Sequence, residues 1–371
     1  MKVPFNAIAV QDAALRTEIV AAITRVVERG WFVLGEEGEA FEREFAPVTG
    51  CAHAAGVGNG TDAIRLALEA VGVRPGDDVV TVPMTAAYTV LAISMLGARP
   101  VFCDVEPRTL TLDPGQLEAA ITPETRAIVP VHLYGQCADM AAIGAIAARH
   151  GIPVVEDCAQ AVLAQFEGRP AGSFGQAAAF SFYPTKNLGA YGDAGAVVSG
   201  DAAVIDTVKR LRNGGQSARY RHVERGVNSR LDELQAAVLR VKLAHLAAGT
   251  EARRAQAARY DAALRGVERP AEVAGRRHVY HLYPVRHPRR DALAAALATA
   301  GIGTIVHYPI PVHLQPAYAH LGLAAGSFPE AERAGSELLS LPLYPGLLPR
   351  QQEAVIEAVL SFAGAPDAAR P

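Results

Sequence analysis

The sequence predicts an α/β fold: a mostly parallel central sheet flanked by helices, followed by a smaller C-terminal α+β domain. Three observations lead there. Short runs that are apolar almost throughout recur over the first two thirds of the chain. Helical segments separate them, and the texture changes near Leu231. A half-exposed strand alternates apolar and polar residues. A run that is apolar throughout is covered on both faces, as in a parallel sheet between helices.

The expected strands are residues 78–83, 99–104, 127–132, 152–157 and 177–182. The expected helices between them are 61–71, 88–96, 113–121 and 140–149. Strand and helix in alternation imply right-handed crossovers. From Leu231 a stretch rich in Ala and Arg, with helical spacing and no breaker, runs towards Tyr260 as one long helix. A strand at 281–285, a helix near 291–300 and a Pro- and His-rich segment at 307–316 follow. The expected division is a large domain at 1–245 and a small one at 246–371, with 364–371 as a frayed tail.

Half of the 371 residues are hydrophobic and 20% are charged, ample for a large core. The net charge of −3 gives no basic excess for a nucleic-acid partner. The start of the chain has no apolar run fit for a signal peptide, and no stretch of roughly 18 apolar residues appears anywhere. A cytoplasmic protein without a membrane partner is expected. Cys51, Cys103, Cys137 and Cys158 are scattered and form no CxxC pair, so they read as buried thiols. His53, His132, His222 and His313 are assigned no metal.

Three motifs can carry chemistry. Gly56, Gly58 and Gly60 precede Thr61 and Asp62 at the start of a helix. Glycines admit a phosphate, and a helix N-terminus favours its charge. A dinucleotide fingerprint needs a third glycine where Thr61 stands. The motif therefore reads as a phosphate cradle using Thr61 and the amides of Thr61 and Asp62, or as a plain turn with Asn59 or Thr61 as cap. Asp157 follows an apolar strand, at the strand end where ligands gather in such sheets. It would pair with a protonated pyridine nitrogen, cap a helix or pair with an arginine. Lys186 sits in a glycine-rich loop beyond the strand at 177–182. It is either a surface lysine or a desolvated amine able to attack an aldehyde. Phosphate cradle, carboxylate and amine are together the contacts that pyridoxal 5′-phosphate requires.

With these residues in place the chain resembles the DegT/DnrJ/EryC1/StrS sugar aminotransferases. The segments that carry the resemblance are 35–42, Asn59 to Thr61, 181–195, 226–235 and His307 to Pro309. It implies a fold-type-I transferase dependent on pyridoxal phosphate. Lys186 would be the lysine that binds the cofactor's aldehyde, and Asp157 the partner of its ring nitrogen. Gln160 would face the ring near its phenolic oxygen. Gly60, Thr61, Asp62 through its amide, and Ser181 would hold the phosphate. Asn228 would reach the neighbouring subunit's phosphate, making a homodimer with shared active sites. Tyr183, His307 and Tyr308 would lie near the sugar. Many relatives carry a stacking aromatic where this chain has Ala86, which leaves the stacking partner open, with Tyr88 nearby. A dehydrating variant of the family has histidine in place of Lys186.

The implied reaction moves an amino group from L-glutamate to the keto group of a nucleotide-linked deoxysugar. Segments 131–136 and 226–235 favour C-3 of a dTDP-3-keto-6-deoxyhexose. Amination at C-4 of a nucleotide-linked 4-keto sugar and an inosose substrate are alternatives within the family. A cofactor-binding protein without turnover and a nicotinamide-dependent oxidoreductase are the readings from other classes.

Overall fold

The computed structural model describes residues 1–11 and 13–364, so the expected frayed tail lies outside the described residues from 365 on. Seven strands form the central sheet: β1 (His53–Val57), β2 (Asp78–Thr81), β3 (Arg99–Phe102), β4 (Thr125–Ile128), β5 (Val155–Asp157), β6 (Ala177–Ser181) and β7 (Gly195–Ser199). Their order is β3-β2-β4-β5-β6-β7-β1, with isolated bridges Ile128 to Val154 and Val131 to Asp157 joining β4 to β5. Neighbours from β3 to β6 are parallel, while β7 runs antiparallel to both β6 and β1. All five expected strands are present. The two that the sequence reading missed, β1 and β7, are the central strands that contain a glycine, Gly56 and Gly195, a residue depleted in strands.

Helices α1 (Gly60–Ala70) and α2 (Ala87–Met95) start within a residue of expectation, as do Pro114–Ala120 and Met140–His150. Below the sheet, Phe41 and Phe45 stack at 5.3 Å and meet Phe180 and Phe182 edge-on. Side chains along a strand alternate in direction. With Phe180 and Phe182 locked downwards, Ser181 between them faces the opposite side.

The long helix α3 (Glu233–Ala263) has 31 residues and crosses position 245/246, where the domain division was expected. At its start the buried Glu233 accepts the amides of Gly35, Glu37 and Gly38. A carboxylate there satisfies the orphan donors of the helix Glu36–Val48. Further along, Ala257 and Tyr260 enter a separate C-terminal core. In it Tyr283–Arg286 pairs antiparallel with Leu338–Leu341, and helices Arg290–Thr299 and Pro349–Gly364 pack alongside. Arg253 is buried and donates only to the carbonyls of Tyr280, His281 and Leu343. Burial pushes its pKa down to about 10. Among the described residues no helix is long and apolar enough to cross a membrane.

Candidate active site

The ends of β1, β5 and β6 supply the site. After β1 the chain turns through Gly58 to Gly60 into α1. The Asn59 side chain accepts the Asp62 amide at 2.8 Å, so Asn59 is the cap rather than Thr61. This uses the Asp62 amide, one of the expected phosphate donors. The Asp62 carboxylate is engaged as well, by Asn59 Nδ2 at 3.0 Å and the Ser229 hydroxyl at 2.7 Å. The amides of Gly60 and Thr61 and the Thr61 hydroxyl have no partner among the described residues. These are the donors the turn leaves for an anion. A Cβ on Gly60 would lie 2.6 Å from Ser181 Cβ, so only glycine lets β6 bring the Ser181 hydroxyl to the turn.

Asp157 is 3% exposed at the end of β5. Its Oδ1 accepts the Ala159 amide at 3.0 Å, and its Oδ2 accepts the Thr89 hydroxyl at 2.7 Å. No arginine pairs with it among the described residues and no helix begins there, which removes two of its three readings. The carboxylate is buried, and among the described residues no cation lies within salt-bridge distance of it, so a positive group joining it would offset the cost of its burial. The adjacent Glu156 is committed elsewhere. It accepts the amides of Gly172, Phe174 and Gly175 and pairs with His132 Nε2 at 2.9 Å. His132 Nδ1 accepts the Ala138 amide at 3.1 Å, so the Nε2 proton goes to Glu156. His132, Glu156 and Cys158 lie close enough to bind a metal, yet these hydrogen bonds occupy the His132 and Glu156 ligand atoms.

Lys186 follows β6 in a tight loop. Its amide donates to Tyr183 O at 2.8 Å, and a side chain on Gly189 would overlap the Pro184 carbonyl. The residue lies half-buried in the cleft. Loss of water around the amine pushes its pKa down to about 8, against the pull of the Asp157 charge. Asn187 anchors the loop, its Nδ2 donating to Val279 O at 3.1 Å and its Oδ1 facing His281 Nδ1 at 3.3 Å.

Gln160 joins two parts of the wall. Its Oε1 accepts the Tyr134 amide at 2.6 Å, and its Nε2 donates to Tyr308 Oη at 3.2 Å. Tyr134 Oη in turn donates to the His307 carbonyl at 2.5 Å. Burial and the nearby Lys186 push His307 down to about 4. Burial, then the Asp157 charge, push Tyr308 up to about 12. Both are therefore neutral at pH 7. Tyr183 is 52% exposed and Tyr88 is 65% exposed. Ala86 caps α2 without a side-chain bond. Asn228 is exposed and makes no side-chain hydrogen bond among the described residues.

Thus the structure gathers Lys186, Asp157, Gln160, His307 and Tyr308 around one cleft, with Gly60, Thr61 and Ser181 at one end. Thr89, Tyr134, Asn187 and His281 belong to the same wall and were missed. The spacing of Thr85 and Thr89, four apart at a helix start, was the available signal. The arrangement offers an anion cradle, a buried carboxylate and an amine of lowered pKa.

The sequence profile of the DegT/DnrJ/EryC1/StrS aminotransferase family matches residues 13–360. The chain belongs to this family. As a member it is similar to the dTDP-3-amino-3,4,6-trideoxy-alpha-D-glucose transaminase of Micromonospora megalomicea subsp. nigra, 51% identical over 93% of this chain and 94% of that one. It is 47% identical to a protein of Geobacillus stearothermophilus named a pleiotropic regulatory protein, over 98% and 99% of the two chains. Among solved structures it resembles S. venezuelae DesV in complex with a ketimine intermediate, at 47% identity and a TM-score of 0.97, covering 99% of this chain and 100% of that one.

Proposed function

We propose that this family member uses pyridoxal 5′-phosphate to move an amino group from L-glutamate to the keto group of a nucleotide-linked deoxysugar, at C-3 of a dTDP-3-keto-6-deoxyhexose. The observation that carries the reading is the buried, unpaired Asp157 carboxylate in the same cleft as the desolvated Lys186 amine. The transaminase named for a dTDP-3-amino sugar, 51% identical, supports the substrate class.

The residues present fit the cofactor. The unpartnered donors at Gly60 and Thr61, with the Ser181 hydroxyl pressed against Gly60, suit a phosphate. Asp157 suits a protonated ring nitrogen, whose charge would relieve the cost of the buried carboxylate. Bound there, the cofactor supplies an aldehyde that carries the amino group and a ring that takes up electron density when a carbon–hydrogen bond breaks. Lys186 Nζ, neutral in an appreciable fraction near pH 7, would hold the cofactor's aldehyde and would serve as the base that moves the proton at the reacting carbon. Gln160 holds the Tyr134 backbone and the Tyr308 hydroxyl together, and it would face the bound ring. Tyr183, His307 and Tyr308 border the space left for the sugar, with the last two uncharged.

Asn228 supports a homodimer with shared sites: an exposed side-chain amide with no partner among the described residues is available to a neighbour's phosphate. Asn228→Ala should weaken cofactor affinity by roughly tenfold, the worth of one hydrogen bond to a charged group. Equilibrium dialysis reads this, and unchanged affinity would count against the shared pocket. For the reaction itself, purified enzyme is given L-glutamate and either dTDP-3-keto or dTDP-4-keto deoxysugars, and the aminated carbon is read by NMR. An amine at C-4 would move the assignment, and no amination of any ketosugar would overturn it.

A further inference from the structure

Asp157 can serve a ring nitrogen only if one of its oxygens is held towards the cleft and the group stays ionised while buried. Two hydroxyls stand behind it. Thr89 Oγ1 lies 2.7 Å from Asp157 Oδ2 and 2.9 Å from Thr85 Oγ1. An ionised carboxylate has no proton to give, so the Thr89 hydroxyl donates to Asp157. A hydroxyl has only one proton, so towards Thr85 it must accept, and Thr85 donates. The two bonds point the same way, and each polarises the next. Thr85, Thr89 and Asp157 are 3%, 1% and 3% exposed, which leaves little room for water to replace either hydroxyl.

A helical threonine ordinarily turns its hydroxyl back to the carbonyl one turn earlier. Thr24, Thr207, Thr250 and Thr299 do so here. Thr89 does not: its hydroxyl leaves α2 and reaches across to the end of β5. We propose that Thr89, backed by Thr85, is the positioning residue that orients the Asp157 carboxylate towards the cofactor's ring nitrogen. This role rests on the functional reading above.

Thr89→Val keeps the shape and removes the hydroxyl. The carboxylate is then freer to turn away from the ring nitrogen. That would take positive charge off the ring and make the Lys186 nitrogen that holds the aldehyde carbon more basic. The pH midpoint of the loaded enzyme's visible absorbance should rise by about one unit. Cofactor retention in equilibrium dialysis should fall about tenfold. The value of kcat should drop with KM for the ketosugar nearly unchanged, since the hydroxyl does not face the sugar. Thr89→Ser should restore the midpoint and the retention. Thr85→Val, which leaves the direct donor in place, should move the midpoint the same way by less, and it serves as the test if Thr89→Val does not fold. A wild-type midpoint and retention in a folded Thr89→Val protein, or an unmoved midpoint in Thr85→Val where only that variant folds, would overturn the role while leaving the functional reading intact. Failure of the wild-type chain to bind pyridoxal 5′-phosphate would overturn the functional reading, and this role with it.

Discussion

Lys186→Ala should cost on the order of 10⁴-fold in kcat or more, since it removes both the amine that holds the cofactor and the group that moves the proton. The visible band of the lysine-bound cofactor should vanish with it. The protein should still fold, because the loop around residue 186 is held by the Lys186 amide, the closure at Gly189 and the Asn187 bonds, none of which uses the ammonium. Comparable turnover in the variant would remove Lys186 from the reaction. The lowered pKa also sets a pH dependence. Only the neutral amine attacks an aldehyde, so capture of cofactor by the empty enzyme should quicken as pH rises through about 8 and level off above it. Stability runs in the same direction. Below about pH 8 the buried ammonium exacts its full cost on the folded state, and that cost is withdrawn as pH climbs towards the unfolded lysine's range. Stopped-flow mixing of apoenzyme with cofactor at a series of pH values reads the first effect. A rate flat from pH 6 to 9 would contradict the desolvated amine.

Glu156→Ala should be the most damaging single truncation for the fold, at about 4 kcal/mol of apparent stability. The alanine leaves the buried amide of Gly172, the part-buried amides of Phe174 and Gly175 and the buried His132 ring without their acceptor. Glu156→Gln should cost about half as much, because it keeps one acceptor oxygen but aims an NH₂ at donors. Urea denaturation of the apoenzymes checks the order. A wild-type midpoint for Glu156→Ala would show that the network does not stabilise the fold. The comparison with Asp157 is instructive. Adjacent residues on β5 face opposite sides, so one carboxylate is saturated with donors inside the protein while the other keeps its charge for the cleft.

Much of this was legible in the sequence, for physical reasons. Strands β2, β5 and β6 are buried along almost their whole length, and the sequence in and before them runs apolar for that reason, while β3 and β4 each carry one exposed arginine, Arg99 and Arg126, among buried neighbours. Lys186 and Asp157 stand out because each lies just beyond or at the end of such a run. β1 and β7 were hidden by the glycines they carry, Gly56 and Gly195, although β1 feeds the glycine turn and a side chain on Gly195 would overlap the Asn59 carbonyl. Whether Asn59 or Thr61 caps the helix was open in the sequence, since a cap and a phosphate cradle share one signature, and the structure has Asn59 take the Asp62 amide. Thr89, Tyr134 and His281 act across 26 to 173 residues of chain, as from Tyr134 to Gln160 and to His307, and local pattern does not register such pairs.

The Asn187 side chain ties the lysine's loop to residues 279 and 281, on the far side of the long helix α3. The reacting amine is consequently braced by chain from both ends of the molecule. Without the segment that follows α3 the loop would keep the Lys186 amide bond and the closure at Gly189 but lose both Asn187 struts.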